Sequence, residues 1–361
     1  MFLYYTAQNL FFAELLHKLV YIDDSPYFLL PILALILLWL ISKNIFKGKL
    51  TSLIPSIVFI ISPWGWYLAS AHSLYLFLLI LVLTFIYGII LTKSGRIYAG
   101  NLFIILASAM GIYTSPIMLI IIPTGFVILL ISKIINFKRV EISSVFLVLL
   151  SLPILFLINK DKFGFKNIIS NEVKTFSDPS LLNSVNRYQG AANDIGFKTA
   201  SRISENKYLF FAEYSLLKYF TQFMPETIFT SNYRLLGFSF SPPILVGFVI
   251  PFIYGLYLSI QKPDLRKVLF VSTFLVVPSL LSHDIVSLNR LVLFSPVIII
   301  LISYGLVSLY DKGKINIARN FLMLTIILVF FQLVVTLGDI KYRENMRLEA
   351  YLGKKYEMVE P

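Results

Sequence analysis

The chain contains no cysteine, so disulfides and thiolate metal sites are excluded. Charge is also scarce. Only 14% of the 361 residues are charged, against about 25% in soluble domains. Hydrophobic residues make up 58% of the chain. A water-soluble fold cannot bury that much apolar surface, so lipid is the expected solvent. The first residues, MFLYYTAQNLFFAELLHKL, lack the basic start and small-residue cleavage site expected of a secretory signal. Glu14, His17 and Lys18 interrupt its apolar run, which predicts an amphipathic helix lying at the interface over 1–26. No repeat of 20–50 residues is evident.

What the chain does have is long apolar runs. A crossing helix needs about 20 largely apolar residues. Ten runs qualify: 27–46, 51–70, 73–92, 97–113, 115–133, 142–158, 241–260, 266–281, 289–309 and 319–338. The expected fold is therefore an all-α polytopic membrane protein of about ten transmembrane helices. Six spans fall in 27–158 and four in 241–338, with a helical outer segment at 159–240 and an outer tail at 339–361.

The formal net charge of +12 would suggest nucleic acid in a soluble protein; here its distribution argues otherwise. Alternate loops carry Lys43, Lys47 and Lys49; Lys93 and Arg96; Lys133, Lys138 and Arg139; Lys262, Arg266 and Lys267; and Lys312, Lys314 and Arg319. The intervening loops hold His72, the Tyr113-Thr114-Ser115 corner and 282–289, with no Lys or Arg before Arg290. Basic loops stay in the cytoplasm. This expectation makes the chain a multi-pass protein of the plasma membrane, with 1–26, 159–240 and the tail outside. Membrane lipids are its expected partners and nucleic acid is not.

Essentially no Asp, Glu, Lys or Arg lies inside the ten runs. Ion-coupled transporters and pumps bind and release charge at mid-membrane depth, so that class is disfavoured. Polar chemistry concentrates at the outer surface. Ser177-Asp178-Pro179 predicts a helix start, with Asp178 as cap and Pro179 at the first helical position, followed by Asn186, Arg187 and Gln189. From Lys207 to Phe223 the apolar spacing predicts a helix lying on the membrane or the bundle, ended by Pro225. The last outer loop gathers His283, Asp284, Asn289 and Arg290 within eight residues. An arginine at the outer end of a span can fork onto a phosphate, or simply reach the lipid headgroups.

ISPWGWYLASAHS, residues 61–73, places two of the three Trp between two apolar runs. Trp and Tyr favour the interface, where an apolar ring ends in a polar group. Four stretches together resemble the GT-C class of membrane glycosyltransferases, nearest to protein mannosyltransferases and aminoarabinose transferases. YYTAQNLFFAELLHKLVYIDDSPYFLLPILALILLWLISKNIF is similar to the family's amphipathic loop helix and following span. IPSIVFIISPWGWYLASA resembles its Ser-Pro-Trp stretch. FSDPSLLNSVNRYQG with NKYLFFAEYSLLKYFTQFMPETIFT resembles an outer region of bacterial members. PSLLSHDIVSLNRLVLFSPVIIILISYGL resembles the late loop with an Asp, an Arg and a Pro-containing span.

The resemblance implies a GT-C-like bundle that moves a sugar from a polyprenyl-phosphate donor to a protein, lipid or polysaccharide acceptor. On that basis Arg290 is expected at the donor phosphate, helped by Asn289 and His283. Trp64, Trp66, Tyr67, His72, Asp284, Asp178, Asn186 and Arg187 are expected around an outer vestibule, the three aromatics serving as interface anchors and apolar walls. A divalent ion at the phosphate is compatible with this chemistry, but no ligand cluster points to one. The sequence departs from the family twice. Its Ser-Arg after the Trp stretch is here Leu68-Ala69-Ser70-Ala71. The family's first span and catalytic-acid loop would match residues before Met1. Asp23 and Asp24 come later than that acid, so no catalytic base is assigned. The alternatives are a non-catalytic or partner-dependent subunit, and a lipid or polysaccharide transporter.

Overall fold

In a computed structural model most of the apolar runs that are described become helices, several of them ending where basic or breaker residues begin. The structure describes residues 29–46, 48–70, 74–114, 118, 122, 179–194, 207–230, 233–235, 238–280, 291–312 and 316–335. The expected interfacial start at 1–26, the runs 115–133 (save residues 118 and 122) and 142–158, and the tail at 339–361 lie outside the described residues.

The helices are α1 (Leu29–Ile45), α2 (Ile54–Ile61), α3 (Pro63–Ser70), α4 (Leu74–Lys93), α5 (Ile97–Thr114), α6 (Pro179–Asp194), α7 (Lys207–Phe223), α8 (Val249–Gln261), α9 (Pro263–Ser272), α10 (Val277–Leu280) and α11 (Ser295–Asp311). A further helix, α12, spans Asn316–Val335. Among the described residues, three segments are long and apolar enough to cross a membrane: Tyr75–Lys93, Val292–Asp311 and Asn316–Val335. Four shorter apolar helices accompany them, at Leu29–Ile45, Thr51–Ile61, Ile97–Gly111 and Val246–Gln261.

Among the described residues, several of the expected spans differ from uniform helices. The run 51–70 breaks at Ser62, which is extended at ψ 139°. Proline follows, and a residue before proline is pushed out of the helical region. The run 241–260 is helical only from Val246, first as a 3₁₀ turn and then as α8. The run 266–281 is assembled from α9, a 3₁₀ turn at Thr273–Val276 and the four-residue α10. The all-α expectation also needs one amendment. Tyr233–Leu235 and Phe238–Ser241 pair as a two-stranded antiparallel ribbon, with Tyr233 opposite Ser241 and Leu235 opposite Phe238.

One core joins α1, α2, α4, α8 and α11; it includes Leu38, Ile41, Phe59, Leu79, Leu83, Ile298 and Ile302. Helices approach closely through small residues, as is usual where lipid is no less apolar than the side chains. Helices α4 and α5 meet at Gly88 and Gly100; a Cβ on Gly88 would lie 2.8 Å from the Gly100 carbonyl oxygen. Helices α8 and α11 meet at Gly255 and Gly305. A Cβ on Gly255 would collide with the Leu301 carbonyl, and one on Gly305 with the Pro251 carbonyl.

That second pair shows a short repeat. Tyr254-Gly255-Leu256 precedes Lys262 with the same spacing by which Tyr304-Gly305-Leu306 precedes Lys312. Fifty residues separate the copies, so the expectation of no repeat at that period holds only for long matches. By contrast α12 is largely exposed. It touches the bundle near Gly247, whose N–H donates to the Gln332 side-chain oxygen at 3.4 Å.

Candidate functional site at the base of the late loop

Helix α7 forms over the residues that the spacing predicts, Lys207–Phe223. It divides into two faces. Tyr208, Leu209, Leu216, Leu217 and Phe220 are exposed, whereas Phe211, Lys218 and Gln222 are buried. An amphipathic helix would normally bury its apolar side in protein. Here a lysine and a glutamine lie inside and large apolar groups lie outside, as expected of a helix whose outer surface meets lipid.

The buried polar face of α7 holds the residues immediately before 281–290. The Ser279 hydroxyl donates to the Gln222 side-chain oxygen at 3.0 Å, and all three of Lys218, Gln222 and Ser279 are fully buried. The Lys218 ammonium donates to the Leu280 carbonyl at 3.5 Å and stands 5.1 Å from the Tyr214 ring centroid. Aromatic contacts hold the residues that follow. Tyr219 packs edge-on against Phe223 at 5.0 Å, and Phe223 packs edge-on against Phe294 at 5.4 Å. Leu291 and Val292 are fully buried beside it. Thus α7 grips both ends of the segment that carries His283, Asp284, Asn289 and Arg290. Those four residues themselves lie outside the described residues, as do His72 and Asp178.

Asn186 and Arg187 are exposed on α6. This helix begins at Pro179, as the Ser-Asp-Pro motif predicts, and buries Val185. Tyr188 meets Phe210 at 6.4 Å and so links α6 to α7.

The Ser-Pro-Trp stretch builds a second junction. Ser62 caps α3: its hydroxyl donates to the Phe59 carbonyl at 2.8 Å and accepts from the Gly65 N–H at 3.2 Å. Serine is a favoured cap and proline fits the first helical position. Glycine is required at 65 because a Cβ there would collide with the Phe59 carbonyl. The Trp64 N–H donates to the Pro243 carbonyl at 3.1 Å, and the Ile244 N–H to the Ile228 carbonyl at 3.1 Å. This stretch is therefore tied to the segment that follows α7.

Trp64 is wholly buried, and its indole N–H has no hydrogen-bond partner among the described residues. The anchor role expected for Trp64 does not hold, because a ring inside the core does not face lipid. Trp66 and Tyr67 lie on α3. Among the described residues no group of three His, Asp or Glu could hold a metal ion. Sequence reasoning missed Lys218, Gln222 and Ser279. Their signal was a lysine and a glutamine four apart on the polar side of an aromatic-rich helix.

Compared with protein-family models, curated proteins and solved structures, the chain matches none.

Proposed function

We propose that the chain is a GT-C-like membrane glycosyltransferase of about ten spans, acting at the outer face of the plasma membrane. It would move a sugar from a polyprenyl-phosphate donor to a protein, lipid or polysaccharide acceptor. The observation that supports this reading most is the grip of α7 on both ends of the 281–290 segment. A phosphate site needs its cationic group held in place, and a guanidinium forks onto phosphate with two parallel hydrogen bonds. In this reading Arg290 binds the donor phosphate, Asn289 and His283 assist it, and Trp64, Trp66 and Tyr67 of α3 support a vestibule to which Asp178, Asn186 and Arg187 contribute.

The test is binding of a polyprenyl phosphate to the purified full chain. Arg290→Ala should weaken binding more than Arg290→Lys, which keeps the charge but loses the fork. Unchanged binding in both removes Arg290 from the site. Transfer of labelled sugar to a membrane acceptor extract then separates an enzyme from a binding protein.

A second reading, a non-catalytic subunit, draws support from α12. Phe321, Ile326, Ile327, Phe330 and Phe331 are exposed around most of its circumference. A partner's span could cover that surface as well as lipid can. Co-purification of a stoichiometric partner, together with absent sugar transfer, favours it.

A further inference from the structure

A cavity of about 360 Å³ opens inside the bundle between α1, α4, α5, α9 and α11, away from the α7 clamp. That volume is within the range of about 300–1,000 Å³ typical of ligand pockets. Its walls are almost wholly apolar, with Ile45, Ile89, Leu269 and Ile300 among them. The one charged residue among the described lining residues is Lys93, at the last turn of α4. Tyr304 also lines the cavity, and the Lys262 ammonium lies 5.2 Å from its ring centroid. One lysine thus lines the cavity and a second stands over a lining tyrosine, while the remaining walls are hydrocarbon-like.

Depth selects the occupant. Ser108 also lines the cavity and lies eleven residues past Ile97, where α5 leaves the basic turn. At about 1.5 Å rise per residue this is roughly 16 Å. The hydrocarbon core is about 30 Å thick, so the cavity reaches about one leaflet inward.

We propose that this cavity seats one acyl chain of an anionic glycerophospholipid, with its phosphate held at Lys93 and Lys262. A polyprenyl chain is the disfavoured occupant, because a chain much longer than one leaflet would leave most of its length outside. The site is lined by Lys93, next to the basic turn between α4 and α5, and does not depend on the glycosyltransferase reading.

The experiment is native mass spectrometry of the full chain, purified in mild detergent with a defined mixture of phosphatidylglycerol, phosphatidylethanolamine and polyprenyl phosphate. One phosphatidylglycerol should be retained in preference to the other two. Lys93→Glu should lower that retention about five-fold or more, the effect expected of one basic group at an anionic lipid surface. Ser108→Leu should lower it by occupying part of the cavity. Because Ser108 is fully buried, thermal unfolding in detergent establishes that this variant is folded before its retention is read. If Lys93→Glu fails to fold, Lys93→Gln replaces it as the deciding variant. Equal retention of phosphatidylethanolamine, stronger retention of polyprenyl phosphate, or unchanged retention in the folded variants would each overturn the proposal.

Discussion

Lys262 and Lys312 are exchanged between two helices: the first lies 5.2 Å from the ring centroid of Tyr304, the second 5.7 Å from that of Tyr254. Each lysine follows its own helix and covers the tyrosine of the other. Tyr254 and Tyr304 precede Gly255 and Gly305, so the cation–π contacts and the glycine contacts obey the same fifty-residue correspondence. Close packing at the glycines brings the two helices near enough for each lysine to reach across.

That relationship makes the glycines sensitive to size. Gly305→Val should destabilise the protein by about 1–3 kcal/mol, because the new atoms meet the Pro251 carbonyl. Gly255→Val should behave alike, and the double variant should cost less than the sum, since both act on one contact. Thermal unfolding in detergent measures all three.

Lys312 has its pKa raised above the ordinary 10.5, first by a side-chain hydrogen bond with Tyr254 and then by the electrostatic attraction of the same group. A raised lysine pKa contributes stability below the unfolded value and loses it as pH rises through the folded value. The hydrogen bond is thus in place at neutral pH and is lost only in strong alkali, whereas the charge attraction requires the ionised phenol and adds nothing at neutral pH. Tyr254→Phe should return the amine toward its ordinary value. Acylation of Lys312 at alkaline pH should then run faster in the variant, because only the neutral amine reacts.

Trp64 separates volume from polarity. Its indole N–H has no partner among the described residues, so Trp64→Phe should cost little beyond the lost ring volume. Trp64→Ala should cost about 3–5 kcal/mol, the usual range for a large aromatic removed from a core. Urea or thermal unfolding of the two variants gives the comparison. Equal losses would mean that the N–H, not the ring, is what matters.

The clamp on the late loop predicts coupling between α7 and α10. A double-mutant cycle of Gln222→Leu and Ser279→Ala should show an interaction of about 1 kcal/mol, as for a typical buried hydrogen bond. Additive effects would show that the 3.0 Å contact carries no net energy.

Much of this arrangement was legible from residue order, and the reasons differ by element. Runs of apolar residues closed by Lys43 or Lys93 gave α1 and α4 within a few residues, since lipid-facing helices need only length and hydrophobicity. The start of α6 at Pro179 and the end of α7 at Phe223 followed from proline chemistry. The break at Ser62 was also encoded locally, yet it was hidden because 51–70 has the length and composition of one span. Burial of Trp64 was not legible: an interface tryptophan and a core tryptophan look the same until the neighbours are known. The same holds for Lys218, whose burial depends on residues 62 positions away in the chain.

The Ser62 break bears on the order in which the chain can be completed during synthesis. At this break the Trp64 N–H has its acceptor on Pro243, far along the polypeptide. Within a bilayer each unsatisfied backbone group costs several kcal/mol. A 51–70 segment made before Pro243 lacks the acceptor that the Trp64 backbone N–H has in the finished fold, so this join between the two halves closes only once both have been made.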